Sequence, residues 1–156
     1  MEMKTINNTL KIRNQLCFRL YAASRNMTRL YKPLLEKYNL TYPQYIILLV
    51  LFEEVSIDFK ELSDVVDLKT ATLTPIVNKL VELGYANKVK NPSDGRKLNV
   101  VITKKGKILE TKIDDVPKCL LKALDISEDE YTNLINQIDD LLDKLKKAQI
   151  KKGDLK

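Results

Sequence analysis

The stretch KTATLTPIVNKLVELG, residues 69–84, constrains the fold most, because it predicts a helix between a shorter helical pattern and a hairpin. Its apolar residues recur at helical spacing, and Gly84 is suited to terminate the helix. Thr70 and Thr72 are candidate N-caps, and Pro75, which has no N–H, is expected near the first turn. The residues predicted to form the buried face are Leu73, Ile76, Val77 and Leu80.

The segments on either side of this helix complete a recognisable motif. A short helix is predicted at about Phe59 to Val66, with Leu62, Val65 and Val66 facing inwards, so the pair forms a helix-turn-helix. After Gly84, the turn-rich NPSDG separates two halves of a hairpin, and the second half alternates apolar and polar residues. A helix-turn-helix followed by a hairpin is a winged helix.

Further helices are predicted at both ends of the chain. The first carries an apolar stripe and contains Pro33, which should bend or interrupt it near its end. The second starts at Thr41, a candidate cap, with Pro43 in its first turn. Another helix opens at Thr103 or Lys104, and from Lys107 the chain is predicted helical up to a break near Asp125. The first-helix stripe comprises Leu16, Leu20, Ala23, Met27, Leu30 and Leu34.

The last helix is predicted from a capping box and an apolar stripe. Ser127 with Glu130 three residues later forms the box, and the stripe after it is wide enough to pack on more than one neighbour. The predicted fold is therefore mainly α with a small β-hairpin wing, a single domain over residues 1–156. Residues 40–106 form its winged helix-turn-helix, and residues 8–38 and 107–150 form dimerisation helices. The last stripe comprises Leu134, Ile138, Leu141, Leu142 and Leu145.

Composition narrows the function. The chain has no histidine, two cysteines, four glycines and a net charge of +6, and it contains no phosphate-binding glycine motif. These counts argue against an enzyme, a zinc site and a bound cofactor, and they favour a polyanionic partner. The polar start MEMKTINN has no signal-peptide core, and no apolar run is long enough to span a bilayer. We therefore expect a cytoplasmic protein with no metal, no cofactor and no membrane association.

The positive charge is concentrated in and beside the hairpin, where it could neutralise DNA phosphates. Short polar side chains near the start of the second helix of the motif suit a major groove, and Arg96 at the hairpin tip has the reach for a minor groove. Charge-rich hairpins are also common as plain solvated surface, but the preceding helix pair favours double-stranded DNA. The candidate DNA-binding residues are Lys69, Thr70, Thr72, Pro75, Lys79, Lys88 and Arg96.

The first helix carries a second, chemically unusual stripe. Cys17, Tyr21, Ser24, Thr28 and Tyr31 follow one another in steps of four and three. Phenolic hydroxyls can donate hydrogen bonds to a thiolate, which is the form of cysteine that peroxides oxidise. A buried, inert cysteine is the competing interpretation of Cys17, and from the pattern alone it is the commoner case.

Taken together, the helix pair, NPSDGRKLNVVITKKG and the flanking helices resemble the MarR family of dimeric winged-helix repressors. NQLCFRLYAASR, YKPLLEKYNLTYPQY and TLTP narrow the resemblance to its organic hydroperoxide repressors, over about residues 14–106. The resemblance implies a homodimer on a pseudo-palindromic operator, with terminal helices at the dimer interface and an organic hydroperoxide as the signal.

The resemblance also implies roles for individual residues. Cys17 matches the peroxide-sensing cysteine, Tyr21 and Tyr31 match tyrosines that hydrogen-bond it, and Tyr42 matches a third that shifts on oxidation. In the wing, Asp94 matches the salt-bridge partner of Arg96. Cys119 is either the thiol that resolves oxidised Cys17 or core filler, and a low-molecular-weight thiol is the other candidate resolving group.

Three alternatives remain beside a peroxide-responsive repressor. One is a MarR-type repressor released by a small phenolic or aromatic ligand, with Cys17 incidental. The second is a broader thiol-redox regulator of stress or virulence genes. The third is a thiol peroxidase using Cys17, which the missing histidine disfavours.

Overall fold

The computed structural model describes residues 8–150, so the polar start of the chain and its last six residues lie outside the described part. The described residues form two compact units, the first ending at Val116 and the second starting at Pro117. The single domain inferred from the sequence remains a prediction. None of the helices described has the length and apolar character needed to cross a membrane.

The first unit begins with two short 3-10 turns, Asn8–Leu10 and Ile12–Asn14, followed by α1 (Leu16–Glu36) and α2 (Tyr42–Glu54). The predicted interruption at Pro33 is wrong, because α1 continues past it to Glu36. The next residue but one, Leu35, is fully buried, and its packing offsets the backbone hydrogen bond that proline cannot donate.

The start of α2 follows the sequence prediction. Thr41 is the N-cap, and its backbone N–H donates to Gln44 Oε1 at 2.8 Å, which is one half of a capping box. α2 has a continuous apolar sequence, and its buried residues include Tyr45, Ile47, Leu48 and Leu51. It therefore forms the centre of the first unit.

The winged helix-turn-helix follows, and its predicted class is confirmed. Strand β1 (Ser56–Asp58) leads into α3 (Phe59–Val65), α4 (Thr70–Glu82), β2 (Ala86–Lys90) and β3 (Leu98–Ile102). The sheet is antiparallel in the order β1-β3-β2, with Ile57 opposite Val100 and Lys88 opposite Val100 on the other side. β1 was not predicted, since three residues carry too little alternation to be recognised.

Helix α3 differs from prediction at one inward position. Leu62 is fully buried and Val66 is half-buried, but Val65 is 59% exposed. Asp58 caps this helix by accepting hydrogen bonds from the backbone of Lys60 (2.8 Å) and Glu61 (3.3 Å).

Helix α4 begins one residue earlier than its threonines suggested. Lys69 is the N-cap, and its carbonyl accepts from Thr72 N (2.8 Å), so neither Thr70 nor Thr72 caps the helix. Pro75 is the sixth helical residue, beyond the first turn where it was expected. Lys69 has an extended backbone conformation and the helix begins at Thr70. The side chains of both threonines therefore lie on the outer surface at the start of the helix.

The other end of α4 is a Schellman motif, as Gly84 indicated. Gly84 has φ +75°, its N–H donates to Val81 O (2.9 Å), and Tyr85 N donates to Leu80 O (2.9 Å). Leu73, Val77 and Leu80 are fully buried, so the helix is held along its whole inner face. The predicted buried face is confirmed at these three positions, and its fourth member, Ile76, is half-buried against the core.

Helix α5 (Lys104–Ile113) closes the hairpin against α4. Thr103 is its N-cap: the hydroxyl accepts from Gly106 N (3.0 Å) and donates to Gly84 O (2.6 Å). The chain is not continuously helical from Lys107 as predicted, because α5 ends at Ile113 and a turn at Asp114 and Asp115 follows.

Gly106 should be intolerant of a side chain. A Cβ there would approach Ile102 Cγ1 to 2.6 Å and the Tyr85 carbonyl oxygen still more closely. We expect Gly106→Ala to lower the free energy of unfolding by about 1–3 kcal/mol, through overpacking. Gly95→Ala is the control, since a Cβ at Gly95 meets nothing within 4 Å. Equal melting temperatures for the two variants in thermal denaturation would contradict this packing.

Helix α6 (Val116–Leu124) begins at the last residue of the first unit, and the rest of it belongs to the second unit. Helix α7 (Glu128–Ile150) follows in the second unit. The predicted capping box is confirmed: Ser127 N donates to Glu130 Oε2 (2.8 Å), and Glu130 N donates to Ser127 Oγ (3.2 Å). The Glu130 carboxylate accepts from the backbone N–H of Ser127 and also from its hydroxyl (3.1 Å), and these two hydrogen bonds hold the pKa of Glu130 below its ordinary value. The apolar stripe on α7 is largely solvent-exposed in the single chain; Leu134, Ile138, Leu142 and Leu145 are its exposed members.

Candidate nucleic-acid interface and cysteine site

The outer face of α4 is open to solvent along its first half. The exposed residues at its start are Lys69, Thr70, Thr72 and Pro75. Lys79 is also exposed, but its Nζ lies 2.7 Å from Glu82 Oε2, so this lysine carries a local partner. The surface nearest the helix N-terminus is therefore short-chained and polar, which permits close approach to base edges.

A depression of about 450 Å³ joins the start of α4 to the wing. It brings Thr70 beside Arg96 and Lys97 of the wing, and beside Phe59 and Lys60 at the start of α3. Lys60 was not among the predicted contacts. The feature of the sequence that could have identified Lys60 is its position in the first turn of α3, just after the capping Asp58. Three separate elements thus converge on one cationic surface.

The wing tip is held by a short network of hydrogen bonds. Asn91 Oδ1 accepts from Ser93 N (2.9 Å) and Asp94 N (3.2 Å), and Asp94 Oδ1 accepts from Arg96 N (3.1 Å) and Arg96 Nε (3.3 Å). The Arg96 side chain is nevertheless 94% exposed. Asp94 therefore orients the guanidinium by one edge and leaves its outer end toward solvent.

Two lysines of the basic cluster have partners within the protein. Lys88 Nζ donates to Asn78 Oδ1 and lies 5.5 Å from the centre of the Phe59 ring, linking β2 to α4 and α3. Lys105 Nζ donates to Leu83 O at 2.7 Å, at the end of α4. Counting charge along the sequence could not show that these two lysines have partners within the protein.

Cys17 lies in the first turn of α1 and is exposed. Two short 3-10 turns precede α1, and side-chain hydrogen bonds join them to the start of that helix. Arg19 donates twice to Arg13 O, from Nε (3.2 Å) and from a terminal nitrogen (3.0 Å), and Gln15 Nε2 donates to Thr9 O. Within the described residues, no hydrogen bond of the Cys17 thiol appears. Cys17 is therefore exposed in the single chain, and its role as a redox sensor remains a prediction.

The tyrosines assigned to Cys17 occupy two different places. Tyr21 is one turn along α1, and its hydroxyl accepts from Arg25 Nη1 at 2.8 Å. Tyr31 packs in an aromatic cluster, with ring centres 4.7 Å from Tyr42 and 5.6 Å from Tyr45. Fourteen residues of continuous helix separate Cys17 from Tyr31, which is about 21 Å along the axis. A hydrogen bond between these two residues of one protomer is impossible, so Tyr31 as a partner of Cys17 remains a prediction that requires the other protomer.

A second depression and a second cysteine are the two other features of interest. A second depression, of about 470 Å³, lies beside Tyr42 and is lined by Arg29, Lys32 and Glu36 of α1. Cys119, on α6 in the second unit, is half-buried and not disulfide-bonded. Its role as a resolving thiol remains a prediction.

A model of the SarA/Rot family of transcriptional regulators matches residues 29–115. The chain belongs to this family. It is also 37% identical over 136 residues to the organic hydroperoxide resistance transcriptional regulator of Bacillus subtilis, covering 87% of this chain and 92% of that protein. The MarR-type recognition from sequence is confirmed, as is the expectation of a transcriptional regulator rather than an enzyme.

Solved structures show the same fold. Reduced AbfR bound to DNA superposes with a TM-score of 0.72 at 27% identity, covering 88% of this chain and 96% of that one. Disulfide-formed AbfR gives a TM-score of 0.60 at 28% identity, covering 90% and 93%. The solved structures that are similar to this SarA/Rot regulator thus include AbfR bound to DNA and AbfR in a disulfide form.

Proposed function

We propose that this SarA/Rot regulator is a repressor that binds operator DNA as a homodimer and releases it when organic hydroperoxide oxidises Cys17. The observation that carries the proposal is the exposed thiol of Cys17 at the start of α1, one turn from the Tyr21 hydroxyl. The similarity to a hydroperoxide resistance regulator and to a protein crystallised as a disulfide supports it.

DNA binding rests on the surface shared by α4 and the wing. The start of α4 would enter the major groove with Thr70 and Thr72 toward the bases, and Arg96 would reach the adjacent minor groove. Lys60 and Lys97, which line the same depression, would face phosphates. In a two-fold dimer the half-sites lie about 10 bp apart, centre to centre, or a multiple of that.

The tyrosines complete the cysteine site only in a dimer. Because α1 separates Cys17 from Tyr31 by about 21 Å, a phenol of the Tyr31–Tyr42 cluster can reach the thiol only from the other protomer. An antiparallel pairing of two α1 helices would place each Cys17 near the partner's cluster. The Tyr21 hydroxyl accepts from Arg25, so its own proton remains available for a thiolate.

The chemistry needs no cofactor. The Cys17 thiolate attacks one oxygen of the hydroperoxide, the O–O bond breaks, and the alkoxide leaves and takes up a proton to become the alcohol. The product is a sulfenic acid on Cys17. A second thiol then displaces water to form a disulfide, and Cys119 and a small cellular thiol are the two candidates for that thiol.

The proposal is tested by following operator binding while organic hydroperoxide is added, on an operator selected from random duplexes with the reduced protein. We expect release, together with a mass increase on the Cys17 peptide corresponding to a sulfenic acid or a disulfide. Mass spectrometry of the oxidised dimer also identifies the second thiol. Release with an unmodified Cys17 would refute the proposal.

Release by a small aromatic ligand is a second candidate function, favoured by the depression beside Tyr42. Arg29 and Lys32 outnumber the carboxylate of Glu36 in its lining, and Tyr42 supplies an aromatic wall, so an aromatic carboxylate suits it chemically. Salicylate can serve as the probe in the same assay. Release by salicylate from the Cys17→Ser dimer would establish this route independently of the thiol.

Arg96→Ala should weaken operator binding by about 1–3 kcal/mol, because Arg96 is held at the wing tip with its outer end exposed. Titration of the operator at moderate salt measures the change. Lys90→Ala, on the same wing, removes the same charge and should have a smaller effect if Arg96 makes a specific groove contact. Equal losses for the two variants would leave only a general charge effect.

A further inference from the structure

Lys105 lies in the basic segment that follows the wing and is exposed to solvent, yet its ammonium group bonds to the protein itself. Its Nζ donates to the carbonyl oxygen of Leu83, the C-cap of α4, at 2.7 Å. The same Nζ lies 5.0 Å from the centre of the Tyr85 ring. A lysine at this position satisfies a terminal carbonyl and interacts favourably with the negative end of the helix dipole.

Further contacts fix the backbone on the C-terminal side of Leu83. Gly84, between Leu83 and Tyr85, has φ +75°, and a Cβ there would lie 3.6 Å from Lys105 Cδ. Thr103, two residues before Lys105, donates to Gly84 O at 2.6 Å, and its N–H donates to Tyr85 O at 3.0 Å. Hydrogen bonds from the side chains of Thr103 and Lys105 therefore join the start of α5 to the end of α4.

The contacts continue beyond Tyr85. Its hydroxyl donates weakly to Tyr38 O, at 3.4 Å, and Tyr38, two residues past the end of α1, donates from its own hydroxyl to Lys112 O at 2.6 Å. The end of α4 thus adjoins the ends of both α1 and α5. Thirteen helical residues, about 20 Å, separate this point from Thr70 at the exposed start of α4.

We propose that Lys105 is a positioning residue for DNA binding, which fixes the angle of α4 from its far end without contacting DNA. A small rotation about the end of α4 moves the start of the helix by an amount that grows along its length. The contacts of Thr70 and Thr72 are therefore sensitive to this clamp. The inference rests on the DNA-binding part of the proposed function and not on the oxidation of Cys17.

The dependence of affinity on salt separates positioning from direct contact. A lysine that neutralises one phosphate contributes about 0.9 to the slope of log K against log salt concentration, whereas a positioning lysine contributes nothing. We expect Lys105→Met to raise the operator Kd about three- to tenfold, the order expected for one charge-assisted hydrogen bond, with the slope unchanged. Lys105→Arg retains a donor and a charge and should recover most of the affinity.

Lys104→Met is the matched control, because Lys104 is the adjacent exposed lysine and makes no hydrogen bond or ion pair within the described residues. Hydrogen exchange of the amides of Gly84, Tyr85 and Ala86 should accelerate in reduced Lys105→Met but not in Lys104→Met. All variants are compared with the reduced wild type on its selected operator, and thermal denaturation confirms that each is folded.

The outcomes are distinguishable. A slope smaller by about 1 for Lys105→Met would make Lys105 a phosphate contact and overturn the inference. Unchanged affinity would overturn it as well, as would unchanged amide exchange beside Gly84. If the reduced wild type itself selects no operator, the proposed function has failed rather than the role of Lys105.

Discussion

Cys17→Ser is expected to bind the operator with wild-type affinity and to stay bound when organic hydroperoxide releases the wild type. Serine keeps nearly the shape of cysteine, and Cys17 lies exposed in the first turn of α1, so the fold should tolerate the change. The hydroxyl cannot form a sulfenic acid or a disulfide. We expect operator affinities about a hundredfold apart under peroxide, which corresponds to a coupling free energy of a few kcal/mol.

The size of this effect follows from geometry. α1 is a continuous helix of 21 residues with Cys17 near its first residue, so a change around the thiol acts on a rigid element. If two α1 helices pack together, altering that contact moves the two copies of α4 relative to one another. Two major-groove contacts at fixed spacing tolerate little displacement.

Cys119→Ser is the matched control for the second thiol. If Cys119 resolves oxidised Cys17, this variant should accumulate sulfenic acid or a mixed disulfide with an added small thiol. If a small thiol is the resolving group, Cys119→Ser should behave as the wild type. Release of Cys17→Ser at the concentration of peroxide that releases the wild type would place the sensor elsewhere.

The parts of the fold that the sequence predicted well depend on local chemistry. Gly84 allowed the left-handed turn that ends α4, and Ser127 with Glu130 formed the capping box at α7. Each signal involves residues three or four apart and backbone groups that must be satisfied locally. These local interactions form in the folded protein because tertiary packing does not oppose them.

Other predictions failed where packing outweighed local preference. Pro33 was expected to bend or interrupt α1, but the helix continues to Glu36 with Leu35 fully buried, and Pro75 is accommodated in the second turn of α4. β1 escaped notice because its three residues form a strand only by pairing with β3, more than 40 residues away. Neither effect is encoded in a short window of sequence.

The candidate site shows a different limit. Helical periodicity placed Cys17 and Tyr31 on one face, but it specifies the angle around the axis and not the distance along it. The counted charges similarly could not show that Lys105 donates to a carbonyl of the protein, because the direction of a side chain is set by partners such as Leu83. Direction and distance both required the folded chain.

The apolar face of α7 leads to the last prediction. Leu142 is 45% exposed in the single chain, and Ile138 and Leu145 on the same face are similarly open. Residues of this kind, repeated over about two turns, indicate an interaction surface, and in the proposed homodimer another copy of the chain would cover it. We expect Leu142→Asp to dissociate the homodimer, because two aspartates would be brought out of water beside one another, at a cost of several kcal/mol per buried charge.

Loss of the dimer should abolish operator binding at concentrations that saturate the wild type. A monomer contacts one half-site and loses the advantage of a second, linked contact, which is commonly worth about 10²–10⁴ in affinity. Asn136→Asp introduces the same charge on the opposite, exposed face of α7 and should leave both dimer and affinity intact. Light scattering at micromolar concentration measures the assembly, and a Leu142→Asp variant that remains dimeric would show that α7 pairs through another face. A folded, monomeric Leu142→Asp that still binds the full operator tightly would mean that DNA recognition does not need two copies, because the half-site geometry then contributes nothing to affinity.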